Sequence, residues 1–434
     1  MLEPIRPSAL HTPGISVAGS PFAKIPPDIR RYFRSGNRVL PLFGAHAKEE
    51  HDTGGLAEDV FTRTVKDLRG ARRSIQVEMF ELDSPKLLAL LAEKARNGVT
   101  VQVIADPPPA DRDDPRSTAL RGLRESSVDL RFYPTRTDDP TNEPLAPTEE
   151  ISGSRVRIDH VKLVIVDGTR AIIGGMNWGT HSPLNHDFDV AIEGPAVRSM
   201  GWLFNEDWLS SGAPFESTLP LSHPAPCGED LVNLVVTADD PHERTIAHTV
   251  LRAIRNARQS IHAELFALTE SRTLQALIEA HRRGLEVKII LDPLRVGHSA
   301  INETACTRLR EAGVEVRWYT CDRPSDEMMH GKLGLFDDDQ TVVGSANWTT
   351  SGFNTNREAA VEVLSPTVNA TFERQFQADW HSRSSIDPIY LPSTPWAALP
   401  SATFPHTAKK AHHPSAREAS TSHPSFISLT AEQS

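Results

Sequence analysis

Two short segments carry residues that could do phosphoryl chemistry. The first runs His160-Val161-Lys162, then Asp167, then Gly174-Gly175-Met176-Asn177. The second runs His330-Gly331-Lys332, then Asp337, then Gly344-Ser345-Ala346-Asn347. Both fit one pattern, H-x-K-x4-D-x6-G-[GS]-x-N. Each histidine leads into an apolar run, so each segment reads as a buried strand. Residues two apart on a strand face the same way, which puts each imidazole beside its ammonium. Glycine lets backbone approach a ligand closely, and asparagine adds an amide donor. Imidazole, ammonium and amide converging on one point make a phosphate site.

These segments need elements to hold them, and an internal duplication supplies them. Ile75-Gln76-Val77-Glu78-Met79-Phe80 resembles Ile261-His262-Ala263-Glu264-Leu265-Phe266. At the same offset Gly98 matches Gly284, Asp106-Pro107 matches Asp292-Pro293, and Arg131-Phe132-Tyr133 matches Arg317-Trp318-Tyr319. Each copy reads as strand, helix, strand, hence a parallel pair with a right-handed crossover. In the first, Ser84 is the expected N-cap, Pro85 the first helical residue and Gly98 the C-terminal stop. Two later helices, marked by Val197, Met200, Phe204, Trp208 and by Val368, Phe372, Phe376, Trp380, should pack into the core.

The signatures follow a shorter offset, so the first copy carries an insertion. It falls in the Pro-, Asp- and Thr-rich stretch 135–154, which should be a surface loop that either passes by the site or folds over it. The expected organisation is an N-terminal extension (1–50), a first lobe (51–211), a Pro-rich linker (212–232), a second lobe (233–385) and a largely disordered tail (386–434).

The doubled signature resembles the phospholipase D superfamily over about residues 55 to 385. That resemblance implies an α/β fold of two tandem lobes, each a mixed sheet flanked by helices, packed with pseudo-two-fold symmetry around one active site. It also implies a phosphohistidine intermediate and no metal or other cofactor. On this chain His160 and His330 become nucleophile and general acid/base, with His160 favoured as nucleophile. Lys162, Lys332, Asn177 and Asn347 would hold the non-bridging oxygens. Histidine titrates near neutrality, so one ring can attack while the other carries a proton.

Each histidine needs an orienting carboxylate. Asp189 and Glu358 are assigned, with Asp187 as the rival of Asp189. Asp167 and Asp337 lie at the far end of their strands and are expected to bind backbone in the turn. Gly174, Gly175, Gly344 and Ser345 are structural members of the motif, and Gly175 lacks the hydroxyl of Ser345. His181 and His186 read as loop histidines.

The segment after Asp189 resembles bacterial cardiolipin synthases, and the Asn347 region resembles phospholipid hydrolases and nucleases. The formal net charge of -11 argues against a general nucleic-acid groove. The expected reaction is therefore cleavage or exchange of a phospholipid head group at a membrane surface. A metal-independent nuclease is the alternative, and an inactive lipid- or nucleic-acid-binding module comes third. An apolar rim of Trp178, Trp348 and Phe353 would suit a lipid. The chain begins with no apolar signal-peptide core and contains no apolar run long enough to span a bilayer, so a cytoplasmic or peripheral membrane location is expected. Cys227, Cys306 and Cys321 match no metal-ligand spacing.

Overall fold

The computed structural model describes residues 33–44, 58–107, 115–133, 158–238, 244–293, 295–296, 299–319, 328–382 and 385–387. The 135–154 insertion, most of the N-terminal extension and nearly all of the tail lie outside them. The first half runs β1 (Arg34–Phe43), β2 (Glu58–Asp59), α1 (Val60–Gly70), β3 (Ser74–Met79), α2 (Pro85–Arg96), β4 (Thr100–Ala105), α3 (Pro115–Arg124), β5 (Asp129–Phe132), β6 (Lys162–Val166), β7 (Arg170–Gly174), β8 (Phe188–Glu193) and α4 (Val197–Ser210). The second runs β9 (Asp230–Thr237), α5 (Thr245–Asn256), β10 (Ser260–Leu265), α6 (Ser271–Arg282), β11 (Glu286–Leu291), the paired β12 (Arg295–Val296) and β13 (Ser299–Ala300), α7 (Glu303–Glu311), β14 (Glu315–Tyr319), β15 (Lys332–Phe336), β16 (Gln340–Gly344), α8 (Thr350–Asn354), β17 (Glu358–Leu364), α9 (Pro366–His381) and β18 (Ser385–Ile386).

One mixed sheet crosses both halves in the order β18-β14-β11-β10-β15-β16-β17-β9-β1-β8-β7-β6-β3-β4-β5, with β2 beside β1. The duplicated blocks form its parallel parts: β3 pairs with β4, and β10 with β11. The signature strands are antiparallel hairpins, β6 with β7 and β15 with β16. β1 and β9 pair antiparallel at the centre. Each opens a β-α-β run, so β1 holds in the first half the place of β9 in the second. The stretch read as an extension thus contributes a central strand.

Local chemistry explains the element ends. Pro85 starts α2 and Gly98 follows it at φ 85, although Ser84 makes no side-chain cap bond. Asp59 caps α1 through Thr62 N, and Glu270 caps α6 through Thr273 N. Val197, Met200, Phe204 and Trp208 of α4 and Val368, Phe372, Phe376 and Trp380 of α9 are all buried in one core shared by the two halves. Helices α1 to α3 and α5 to α7 build two separate cores with the sheet. No helix among the described residues is long and apolar enough to cross a membrane.

Asp167 and Asp337 sit in the turns after β6 and β15 at φ 54 and 53. Aspartate is among the few residues that visit this left-handed region readily. Asp167 accepts the N–H groups of Arg72, Arg73 and Ser74, and Asp337 those of Arg258, Gln259 and Ser260. Each carboxylate thereby ties the signature hairpin to the start of the neighbouring parallel strand. For Asp167, burial pushes the carboxyl upward, but the three N–H bonds outweigh it and hold the group below its ordinary range.

Candidate active site

The two signatures meet through bonds that cross between the halves. His160 Nδ1 lies 2.9 Å from Glu358 Oε2, and His330 Nδ1 lies 2.9 Å from Asp187 Oδ1. Each histidine is thus oriented by the acid of the other half. Both Nδ1 atoms are occupied, which leaves Nε2 as the nitrogen available to a substrate. The backbone makes the same crossing. His160 N donates to Arg357 O and His330 N donates to His186 O, both at 2.9 Å.

The acid facing His330 is Asp187, where the sequence favoured Asp189. Asp189 pairs with Gly174 across the sheet, just as Ala360 pairs with Gly344. By register the counterpart of Glu358 is therefore Asp187, because the second half holds one more residue between glycine and acid. Asp189 Oδ1 instead accepts the N–H groups of Gly175 and Met176, each at 3.1 Å. Burial and the neighbouring Asp187 push Asp189 up to about 7.

The motif glycines make room for protein, not for a ligand as the sequence suggested. A Cβ on Gly174 would lie 2.2 Å from Asp189, and one on Gly344 2.3 Å from Ala360. A Cβ on Gly175 would lie 2.7 Å from Asp187 Oδ1. Ser345 uses its hydroxyl internally, donating to Glu358 Oε2 at 2.5 Å and accepting from Ala359 N.

Lys162 and Lys332 are buried and donate to the carbonyls of His160 and His330. Each also lies over an aromatic ring, Phe80 at 4.9 Å and Phe266 at 5.2 Å. The same rings meet His160 and His330 edge-on with centroids 4.9 Å apart. Phe80 and Phe266 are partly exposed and end the duplicated block, a signal that the sequence carried and that was not assigned to the site. Trp178, Trp348 and Phe353, candidates either for a rim or for packing, are buried. Asn177 Nδ2 donates to Glu81 at 3.0 Å. Asn177 and Asn347 each bury an Oδ1 with no hydrogen-bond partner among the described residues.

His186 lies in the loop before β8, as the sequence suggested, but its side chain has partners. It is fully buried, 3.0 Å from Asp379 and 3.5 Å from Glu264. These three are the one group among the described residues whose ligand atoms lie close enough to share an ion. Arg357 occupies the corresponding place in the other half, which identifies this as the place of a positive side chain.

A family model described as cardiolipin synthase, phospholipase D-like domain, matches residues 64–208 and 250–380. The chain belongs to this family. The two matched segments carry the two signatures and meet in one site. Among curated relatives, cardiolipin synthase 1 of Bacillus anthracis is 24% identical over 376 residues, covering 80% of this chain and 70% of that protein. Cardiolipin synthase A of Pseudomonas syringae is 27% identical over 356 residues, covering 76% and 68%. A solved phosphatidylserine synthase from Haemophilus influenzae superposes with TM-score 0.59 at 12% identity, covering 83% of this chain and 90% of that one. That likeness speaks for the fold alone.

In this phospholipase D-like site, burial sets the protonation. It pushes His160 down to about 4 and lowers His330 as well, so both rings are poised neutral. It pushes Lys332 down to about 7 and Lys162 down to about 8. To attract an anionic ligand, both lysines would have to be protonated. They lose that charge as pH rises through 7 to 8. We therefore expect kcat/KM to fall on the alkaline side with a limb beginning in that range. A profile still flat at about pH 9, where ordinary lysines remain charged, would count against this assignment.

Proposed function

We propose that the chain is a phospholipid phosphatidyltransferase that works through a phosphohistidine. The crossed pairs His160–Glu358 and His330–Asp187 carry this reading, because each half completes the other's histidine. In the first step His160 Nε2 attacks phosphorus. The bond to the head-group oxygen breaks, and His330 supplies its proton. An acceptor hydroxyl then gives its proton to His330 and attacks phosphorus, which releases His160. Lys162 and Lys332 neutralise the phosphoryl oxygens. The substrate's negative charge raises the proton affinity of both lysines and of His330 on binding.

The names of the relatives, cardiolipin synthases, support a phospholipid substrate. Phe80 and Phe266, in place of the buried tryptophans, offer an apolar border to the site. The nuclease reading is disfavoured by the net charge of -11 and by these relatives.

The deciding assay offers the purified full chain phosphatidylglycerol vesicles and, in parallel, single- and double-stranded DNA, all with EDTA. Lysine and amide donors stand where a cation would act, so we expect EDTA to leave the rate unchanged. Mass spectrometry should find cardiolipin and glycerol if an alcohol accepts, or phosphatidic acid if water does. DNA cleaved beside untouched vesicles would overturn the lipid reading, and activity restored only by a divalent ion would overturn the metal-free one.

A further inference from the structure

The residue before each orienting acid is a buried basic residue held by an acid of the opposite half. Arg357 precedes Glu358 and grips Asp207 of α4 with two bonds of 3.0 Å. His186 precedes Asp187, and its Nε2 lies 3.0 Å from Asp379 of α9. Asp207 and Asp379 each precede a core tryptophan, Trp208 and Trp380, at matching places in the two helices. Glu78 and Glu264, matched in the duplication, are both fully buried, Glu78 within the charge field of Arg357 and Glu264 beside His186.

The backbones of these two basic residues form the crossing contacts. Arg357 N donates to Ile158 O and its carbonyl accepts from His160 N. His186 N donates to Met328 O and its carbonyl accepts from His330 N. His186 also stacks on Tyr319 at 4.9 Å and meets Phe188 edge-on at 5.1 Å, so its ring has one seat. Gln375 supports the far side by donating to both oxygens of Asp379.

We propose that His186 is a positioning residue for the His330 half of the reaction. Locked to Asp379, it fixes the segment before β8 that carries Asp187 and receives His330 N–H. Arg357, locked to Asp207, does the same for Glu358 and His160. This inference rests on the phosphohistidine reading above. It adds that the two pins govern different steps. Loosening His186 impairs proton transfer by His330, and loosening Arg357 impairs attack by His160.

A phosphatidyl ester of nitrophenol separates the steps, because nitrophenolate leaves without needing a proton. Rapid mixing reads attack by His160 as nitrophenolate release, and phosphohistidine breakdown as decay of acid-labile label. For His186→Ala we expect release near the wild-type rate and breakdown slower by about ten- to a hundredfold, by analogy with losing a partner that orients a metal-ligating histidine. His186→Gln keeps an amide donor for Asp379 and should recover part of that loss. Arg357→Gln should slow release instead. Circular dichroism and thermal melting establish that each variant is folded, and His186→Gln serves as the test where His186→Ala does not fold. Equal slowing of both phases by the His186 variants, or no slowing of either, overturns the proposal. A wild-type chain that forms no acid-labile label refutes the phosphohistidine reading itself, and the inference falls with it.

Discussion

His330→Ala is expected to lose turnover on phospholipid by about a thousandfold or more, and yet still to become labelled on His160 by an ester whose leaving group needs no proton. The two histidines are not equivalent in their surroundings. Glu358, which faces His160, also accepts hydrogen bonds from Ser345 and from Asn356. Those donors share its negative charge and weaken its hold on an imidazolium. Burial would raise the Glu358 carboxyl, but His160, Lys162 and Ser345 together hold it below its ordinary range. Asp187, facing His330, has one buried oxygen with no hydrogen-bond partner among the described residues. Its charge therefore acts more fully on His330. His160 is the better neutral nucleophile, and His330 the better proton carrier. With nitrophenol as leaving group, His330→Ala should release one equivalent of nitrophenolate and then stall as a stable phosphohistidine, because nothing activates the acceptor. His160→Ala should release none. The opposite pattern would exchange the roles.

The signatures, the duplication and the core helices were legible because each depends on local spacing. His-x-Lys alternation, the Pro85 start of α2 and the stripes on α4 and α9 need no knowledge of distant residues. Which residue of one half bonds which residue of the other was not legible. The bonded pairs His160–Glu358 and His330–Asp187 are separated by 198 and 143 residues. Counting from each histidine to an acid in its own half pointed to Asp189, and only strand register shows the one-residue difference. β1 was missed for a related reason. It contains Pro41, carries no signature, and finds its place only against β8 and β9. The pairing of the loop residue His186 was not legible because its partners, Asp379 and Glu264, belong to the other half.

The strand register that singles out Asp187 implies a second large effect. Asp187→Asn should lower kcat by about a hundred- to ten-thousandfold with little change in KM. The amide is nearly isosteric, so the fold is kept. The charge that supports a protonated His330 is lost, and an amide donor facing Nδ1 would impose the wrong tautomer. Glu358→Gln should act similarly through His160, and it also disturbs Ser345 and Asn356. Asp189→Asn is the control that separates the two candidate acids. Its acceptor oxygen can still take the N–H groups of Gly175 and Met176. With the carboxyl pushed up to about 7 by burial and by Asp187, a neutral side chain at this place is already close to the natural state. A loss below about tenfold is expected, in line with the modest net worth of one altered hydrogen bond. Steady-state kinetics on the three variants decide the matter. If Asp189→Asn costs as much kcat as Asp187→Asn, the orienting role belongs to the pair of aspartates and not to Asp187 alone.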